Sequence, residues 1–131
     1  MLVVDASAVL EVLLRTPRAG AIERRLFDPR QTFHAPHLID LEIAQVLRRY
    51  CASGDLTESR AREALGDFAD LPVTRYPHAP FLDRIWELRV NLTAYDAAYI
   101  ALAEVLAAPL VTCDRALASA RGHRARVDLI G

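Results

Sequence analysis

The chain has 131 residues, of which 53% are hydrophobic and 25% are charged. This length is typical of one domain, here expected over 1–131, and the composition argues against a disordered chain. The net charge is −1, which excludes a strongly basic surface as the general means of attracting nucleic acid. All sixteen basic residues are arginine, so any mechanism that depends on a lysine is excluded as well.

The two cysteines and the hydropathy pattern indicate in which cellular compartment the protein is expected. Cys51 and Cys113 are far apart and form no C-x-x-C pair, which favours a reducing cytoplasm. We interpret Cys51 as part of a helix core and Cys113 as a strand-end residue. No apolar run reaches about 18 residues, and the first residues resemble a strand instead of a basic leader. We therefore expect a cytoplasmic protein without a membrane span or export signal.

Short apolar runs alternate with helical patterns along the chain. In chain order, the sequence predicts a strand at 1–4, a helix through Val9 and Leu14 that ends near Pro17, a helix at 17–27, a strand at 32–35 and helices at 36–54 and 57–71. It then predicts an edge strand at 73–76, helices at 78–90 and 93–108, a strand at 110–112, a helix at 114–120 and a strand at 127–130. This alternation predicts a three-layer α/β/α domain with right-handed crossovers and a mostly parallel central sheet of four to five strands.

Two aspartates directly follow predicted strands. Asp5 comes after the first apolar run and Asp114 after the LVTC run, and each precedes a predicted helix. Aspartate is a preferred helix N-cap, so capping alone accounts for either residue. In open α/β sheets, however, ligands bind in the crevice outside the carboxyl ends of the strands. These two positions therefore also predict a binding site.

A third aspartate, Asp96, stands in the first turn of the helix predicted at 93–108. The pattern Thr93-x-x-Asp96 resembles a capping box, which is one explanation for this acid. The helix that follows is apolar on nearly every side, which is typical of a buried helix. A carboxylate at the start of a buried helix needs a partner, and a metal ion is one such partner.

Glu42 lies inside a predicted helix, where capping cannot explain it. At 100° per residue it falls at one edge of the apolar stripe, and Asp40 falls at the opposite edge. Helical periodicity does not choose between these two acids, and a solvated position is an alternative for either.

Asp5, Glu42, Asp96 and Asp114 are called the four acids below. Carboxylates a few ångströms apart repel each other by about 1–4 kcal/mol per pair, and some would bind protons if no cation were present. Oxygen ligands without a cysteine or histidine partner favour a hard ion, so we expect Mg²⁺ or Mn²⁺. Such ions can activate a water for attack on a phosphodiester.

Three segments that contain the four acids resemble PIN-domain ribonucleases, and specifically the VapC toxins of bacterial toxin–antitoxin pairs. These segments are LVVDASAVLEVLL, APHLIDLEIAQVLRR and LTAYDAAYIALAEVLAAPLVTCDRAL. Their order and spacing extend the resemblance over essentially the whole chain. The third segment is the specific one, because its strand-end and helix-start acids have the separation found in the family.

The resemblance implies that the four acids are the catalytic and metal-binding residues, and it favours Glu42 over Asp40. It also implies a small hydroxyl residue near the first acid, where Ser7 stands, and Thr112 is a second hydroxyl candidate. Some relatives carry a further acid after the fourth, but this chain has Leu117 and Ala118 in that region. This difference argues against a second metal site that the protein alone would hold.

The resemblance further implies an endoribonuclease that cuts structured RNA and acts as a toxin. Its partners would be a cognate VapB-type antitoxin and a second copy of the chain, since these toxins are typically homodimers. Residues 115–126 contain no acid, and Arg115, Arg121 and Arg124 are candidates for binding RNA phosphates, with a solvated loop as the alternative. Two other functions stay open: a housekeeping PIN-type nuclease without an antitoxin, and a catalytically silent α/β binding module.

Two other protein classes that gather acids at strand ends are excluded by single positions. A response-regulator receiver carries a lysine on a late strand, and this chain has no lysine. A phosphatase of the haloacid-dehalogenase type needs an aspartate two residues after the first, and that position is Ser7.

Overall fold

Five strands form one sheet at the centre of the computed structural model, which describes residues 1–131. The strands are β1 (Leu2–Val4), β2 (Phe33–Pro36), β3 (Val73–Tyr76), β4 (Leu110–Thr112) and β5 (Val127–Leu129). Their order across the sheet is β3-β2-β1-β4-β5, and all four pairings are parallel. The sheet is therefore wholly parallel, where the sequence predicted a mostly parallel one.

Seven α-helices connect the strands. They are α1 (Ala6–Leu13), α2 (Ala19–Leu26), α3 (Leu38–Ala52), α4 (Glu58–Asp70), α5 (Leu82–Glu87), α6 (Ala94–Leu106) and α7 (Arg115–Ser119). Helix α1 contacts α2, α3 and α4, and α3 contacts α4. On the other side, α5 packs on α6, and α6 contacts the three central strands β1, β2 and β4. The predicted three-layer α/β architecture is confirmed. None of the helices has both the length and the apolar content needed to cross a membrane.

Helix α6 forms the centre of one layer. Its residues from Ala97 to Ala103 are all buried, including Ile100 with no exposed surface. A helix that is apolar on every side has to be covered on every side, and α6 is covered by the sheet and by α5. This packing fixes the helix that carries Asp96.

The boundaries differ from the predictions at two helices. Helix α1 ends at Leu13 instead of near Pro17, because Arg15 adopts a left-handed conformation with φ of 54° that breaks the helix. The helix predicted at 78–90 is a 3₁₀ turn at Ala79–Phe81 followed by the short α5. Trp86 on α5 is 68% exposed, so it does not belong to the core.

The connections reverse direction between β1 and β4. The chain leaves β1 toward β2 on one side of the sheet and leaves β4 toward β5 on the other. Such a reversal opens a crevice at the carboxyl ends of the two strands, which is the usual ligand site in open parallel sheets. Asp5 follows β1 and Asp114 follows shortly after β4, so both lie at this crevice.

Candidate functional site

Asp5 is the most buried of the four acids, with 5% of its surface exposed. Its Oδ1 accepts hydrogen bonds from Ser7 Oγ at 2.7 Å and from the Ala8 amide at 3.0 Å, and its Oδ2 accepts one from Thr112 Oγ1. Burial raises the pKa of Asp5, while the donors from Thr112 and Ser7 oppose that rise. The carboxylate is thus both a helix cap and a group oriented by three donors.

The two hydroxyl candidates connect Asp5 to the segment that leaves β4. Ser7 Oγ accepts a hydrogen bond from the Cys113 amide at 3.0 Å, and Thr112 Oγ1 accepts one from the Asp114 amide at 2.9 Å. Because each hydroxyl oxygen accepts from a backbone amide, its single proton is directed to Asp5. Ser7 therefore lies beside the first acid, where the resemblance implies a hydroxyl, and the second candidate, Thr112, lies there too.

Asp114 is the N-cap of α7. Its Oδ1 accepts hydrogen bonds from the amides of Ala116 at 2.8 Å and Leu117 at 3.3 Å. Its Oδ2 has no protein donor and stays available to a ligand. Capping and ligand binding are thus compatible roles for this residue, because they use different oxygens.

Asp96 lies in the first turn of α6, where its amide donates to the capping hydroxyl of Thr93 at 3.2 Å. Burial raises the pKa of Asp96, and the negative charge of Asp114 raises it further. Asp96 and Asp114 are therefore close enough to repel each other, in keeping with the contact between α6 and β4.

Glu42 is the fifth residue of α3, and its Oε1 accepts a hydrogen bond of 2.6 Å from the hydroxyl of Tyr99 on α6. Burial raises the pKa of Glu42, and the charges of Asp5 and Asp96 add to that rise. Asp40 instead is exposed and forms an ion pair with Arg75 on β3, with 2.8 Å between Nε and Oδ1. Of the two acids that flank the apolar stripe, Glu42 is the one that lies near Asp5 and Asp96.

Each of the four acids is repelled by the charge of two others. The charge of Asp114 acts on Asp5 and Asp96, and the charges of Asp5 and Asp96 act on Glu42. No three carboxylates are close enough together to enclose a bare metal ion. The donor set, which consists of carboxylate oxygens with unused lone pairs, suits a hard cation such as Mg²⁺ that keeps several of its waters.

Tyr99 contacts Glu42 and Arg49 lies near it, and the sequence did not single out either as a site residue. Tyr99 stands in an apolar helical pattern that is typical of core, and its hydroxyl gives no sign of its partner. Arg49 is exposed on α3, two turns after Glu42, and lines two grooves that both include Glu42 and Val46. The i, i+7 spacing from Glu42 to Arg49 is the pattern that places both on one helix face.

The three candidate RNA-binding arginines lie at different distances from the acids. Arg115 directly follows Asp114 and is exposed. Arg121 precedes Gly122, which packs against Asn91 just before α6. The Arg124 amide binds the Glu104 carboxylate at 2.7 Å, and Glu104 lies about 12 Å along α6 from Asp96. The structure therefore brings Arg115 to the site and leaves Arg124 toward the other end of α6.

The model of the PIN domain family matches residues 2–122 of the chain. This chain belongs to the PIN-domain family. Among its curated relatives, the ribonuclease VapC12 of Mycobacterium tuberculosis is 40% identical over 130 residues, which cover 99% of each chain. The ribonuclease VapC9 of the same species is 47% identical over 114 residues, or 87% of this chain and 86% of the relative. The resemblance to VapC-type PIN-domain ribonucleases is thereby confirmed.

The fold of this PIN domain also matches solved structures. The structure of VapBC2 from Rickettsia felis, bound to a DNA fragment from its promoter, superposes with a TM-score of 0.72 at 12% identity. The match covers 99% of this chain and 98% of that one. At such low identity the likeness supports the fold, and the function has to be argued from the site.

Glu42→Gln should stabilise the metal-free protein at neutral pH. In the unfolded chain glutamate ionises near a pKa of about 4.3, whereas folding raises the pKa of Glu42 through burial and repulsion by Asp5 and Asp96. Between the unfolded and the folded pKa of Glu42, the folded state binds more protons than the unfolded state. The free energy of unfolding therefore falls as the pH rises through this range. Glutamine removes this loss and still accepts the Tyr99 hydrogen bond.

Urea unfolding in chelator checks this expectation, with a gain of about 1 kcal/mol at neutral pH and almost none near pH 4. Asp67→Asn is the matched control, because Asp67 is exposed on α4. An equal change in both variants, or a loss of stability in Glu42→Gln, would contradict the electrostatic explanation.

Proposed function

We propose that this PIN-domain protein is a metal-dependent endoribonuclease that acts as the toxin of a toxin–antitoxin pair. The observation that carries the proposal is the convergence of four carboxylates at the crevice between β1 and β4. Ribonucleases among the relatives of 40% to 47% identity support RNA as the substrate class. A silent binding module is disfavoured, because Glu42 caps no helix and its position near Asp5 and Asp96 adds repulsion without a structural benefit.

The four acids would hold Mg²⁺ or Mn²⁺. When bound, the ion supplies a more acidic water and a positive charge beside the scissile phosphate. Glu42 Oε2 and Asp114 Oδ2 support this assignment, because neither oxygen has a protein donor. Asp5 accepts three hydrogen bonds and so keeps about one of its four lone pairs for a ligand.

Hydrogen bonds determine how the carboxylates are oriented and which of their oxygens stay free to react. Asp5 is oriented before any ligand arrives, because Ser7, Ala8 and Thr112 hold it from three directions. The free oxygens of Glu42 and Asp114 can each bind the cation or accept a proton from the attacking water. The ring nitrogens of His34 bind Thr32 and Tyr76, and that of His78 accepts from the Leu38 amide, so these two histidines are engaged elsewhere.

The purified protein should cleave RNA when Mg²⁺ or Mn²⁺ is present, and cleavage should stop when a chelator removes the ion. Asp5→Asn and Asp96→Asn should each reduce the single-turnover cleavage rate by more than the roughly 100-fold typical of an outer partner. Asp40→Asn is the matched control, since it removes one carboxylate of the same helix as Glu42 but outside the site. Full cleavage by Asp5→Asn, or cleavage unaffected by chelator, would reject the metal site.

RNA phosphates would be held by arginines on both sides of the four acids. We propose Arg49 and Arg115 for this contact and keep Arg121 as a weaker candidate. None of these three takes part in an ion pair of the structure, so their guanidinium groups are free to bind phosphate. Arg124 is not favoured, because its segment is bound at the far end of α6.

Arg49→Ala and Arg115→Ala should weaken RNA binding and reduce its dependence on salt. Each lost phosphate contact lowers the slope of log affinity against log salt by about 0.7 for single-stranded RNA. Binding of a catalytically inactive Asp5→Asn background to labelled RNA at several salt concentrations measures the slope. Arg62→Ala, an exposed arginine on α4, is the control, and slopes equal to it would exclude both contacts.

A toxin should arrest growth when it is expressed alone and be neutralised by a small VapB-type protein encoded beside it. Asp5→Asn should abolish the arrest, because arrest requires cleavage. The measurement is growth after induction with and without co-expression of the neighbouring gene. Growth unaffected by active enzyme would favour a housekeeping nuclease, and arrest by Asp5→Asn would favour a binding protein.

We also propose that the protein forms a homodimer, as the resemblance to VapC toxins implies. Several large apolar side chains are exposed on the isolated chain and would gain from being covered by a second copy, among them Leu82, Trp86 and Val90 of the α5 region at 56%, 68% and 81% exposure.

A further inference from the structure

Tyr99 is a buried tyrosine whose hydroxyl has an ionisable partner. Only 2% of the residue is exposed, yet its hydroxyl donates a 2.6 Å hydrogen bond to Glu42 Oε1. A buried phenol needs a hydrogen-bond partner, and a partner inside the core would have met that need. The hydroxyl instead reaches across from α6 to an acid on α3, 57 residues away in sequence.

The location of Tyr99 joins three parts of the site. It stands three residues after Asp96, so both side chains lie on one face of α6. Burial raises the pKa of Tyr99, the charge of Glu42 raises it further, and the amide of Ala6 at the start of α1 opposes the rise. The phenol therefore keeps its proton and stays a donor, beside the helix that Asp5 caps.

This donor has a consequence for Glu42. A glutamate in a half-buried position has several rotamers, and either oxygen can face the crevice. Because Tyr99 occupies Oε1, Oε2 is the oxygen without a protein donor. A hydrogen bond to one oxygen of a metal-binding carboxylate is a common way to orient it and to tune its affinity.

We propose that Tyr99 is a positioning residue that orients Glu42 so that Oε2 is presented to the cation. The inference rests on the metal site of the proposed function. A merely structural Tyr99 would connect α6 to α3 and affect stability, whereas a positioning Tyr99 affects metal affinity through Glu42.

The test is Mn²⁺ binding to the full chain without RNA, followed by the EPR signal of free Mn²⁺. Tyr99→Phe should weaken Mn²⁺ affinity about tenfold. Tyr76→Phe is the matched control, because it also removes a partly buried tyrosine hydrogen bond, here to His34 at 2.7 Å, but away from the acids. It should change the affinity less than twofold.

A double-mutant cycle then separates the two roles of Tyr99. If Tyr99 acts through Glu42, Tyr99→Phe should have no further effect on Mn²⁺ affinity in a Glu42→Gln background. Wild-type affinity in Tyr99→Phe, or the same loss in both backgrounds, would overturn the positioning role while leaving the metal site intact. A wild-type chain that binds no Mn²⁺ would overturn the metal site and the positioning role together.

A second measurement covers the case in which Tyr99→Phe does not fold. The chain has four tyrosines, so fluorotyrosine labelling gives four ¹⁹F resonances that single Tyr→Phe changes at the other three positions assign. Mg²⁺ should shift the Tyr99 resonance and leave the Tyr76 resonance in place. A Tyr99 resonance that does not move at saturating Mg²⁺ would overturn the proposal.

Discussion

A carboxylate buried where two parallel strands end is costly, and much of the local structure serves to hold it. Asp5 is 5% exposed, and three donors from Ser7, Ala8 and Thr112 oppose the rise in its pKa that burial causes. The hydroxyls of Ser7 and Thr112 are themselves directed by amides of the segment after β4. Changing Asp5 would leave two hydroxyls and the Ala8 amide without their acceptor. The course of the chain from Thr112 to Asp114 depends on Asp5 indirectly, because its amides donate to those two hydroxyls.

The same constraint explains why α6 is so apolar. Asp5 and Asp96 each repel Glu42, so the elements that carry these acids have to be held together by other contacts. Helix α6 supplies these contacts, because its buried side chains pack on β1, β2 and β4 while its first turn presents Asp96. Stability that comes from the core thus offsets repulsion at the crevice, a common balance between stability and function in ligand sites.

Sequence patterns predicted the parts of the site that local rules determine. Short apolar runs located the strands, and their ends located Asp5 and Asp114. The choice between Glu42 and Asp40 was beyond periodicity, because it depends on Arg75, a residue 35 positions from Asp40 on a neighbouring strand. The role of Tyr99 could not be predicted for a related reason. A tyrosine in an apolar helix indicates a core residue, and only the fold brings its hydroxyl to Glu42. Arg124 was grouped with Arg115 by proximity in sequence, although α7 and the following segment carry it away from Asp114.

The charge balance of the chain gives the cation a second role under the proposed function. With a net charge of −1 and four acids at the crevice, the apo site repels a polyanionic RNA. Arginines such as Arg49 and Arg115 can attract phosphates only locally, because their field is screened within about 8 Å at physiological salt. A divalent ion would offset part of the carboxylate charge and offer a local positive centre to a phosphate oxygen. Metal binding would then control where the RNA backbone binds as well as whether it is cut, which couples substrate binding to the same four carboxylates.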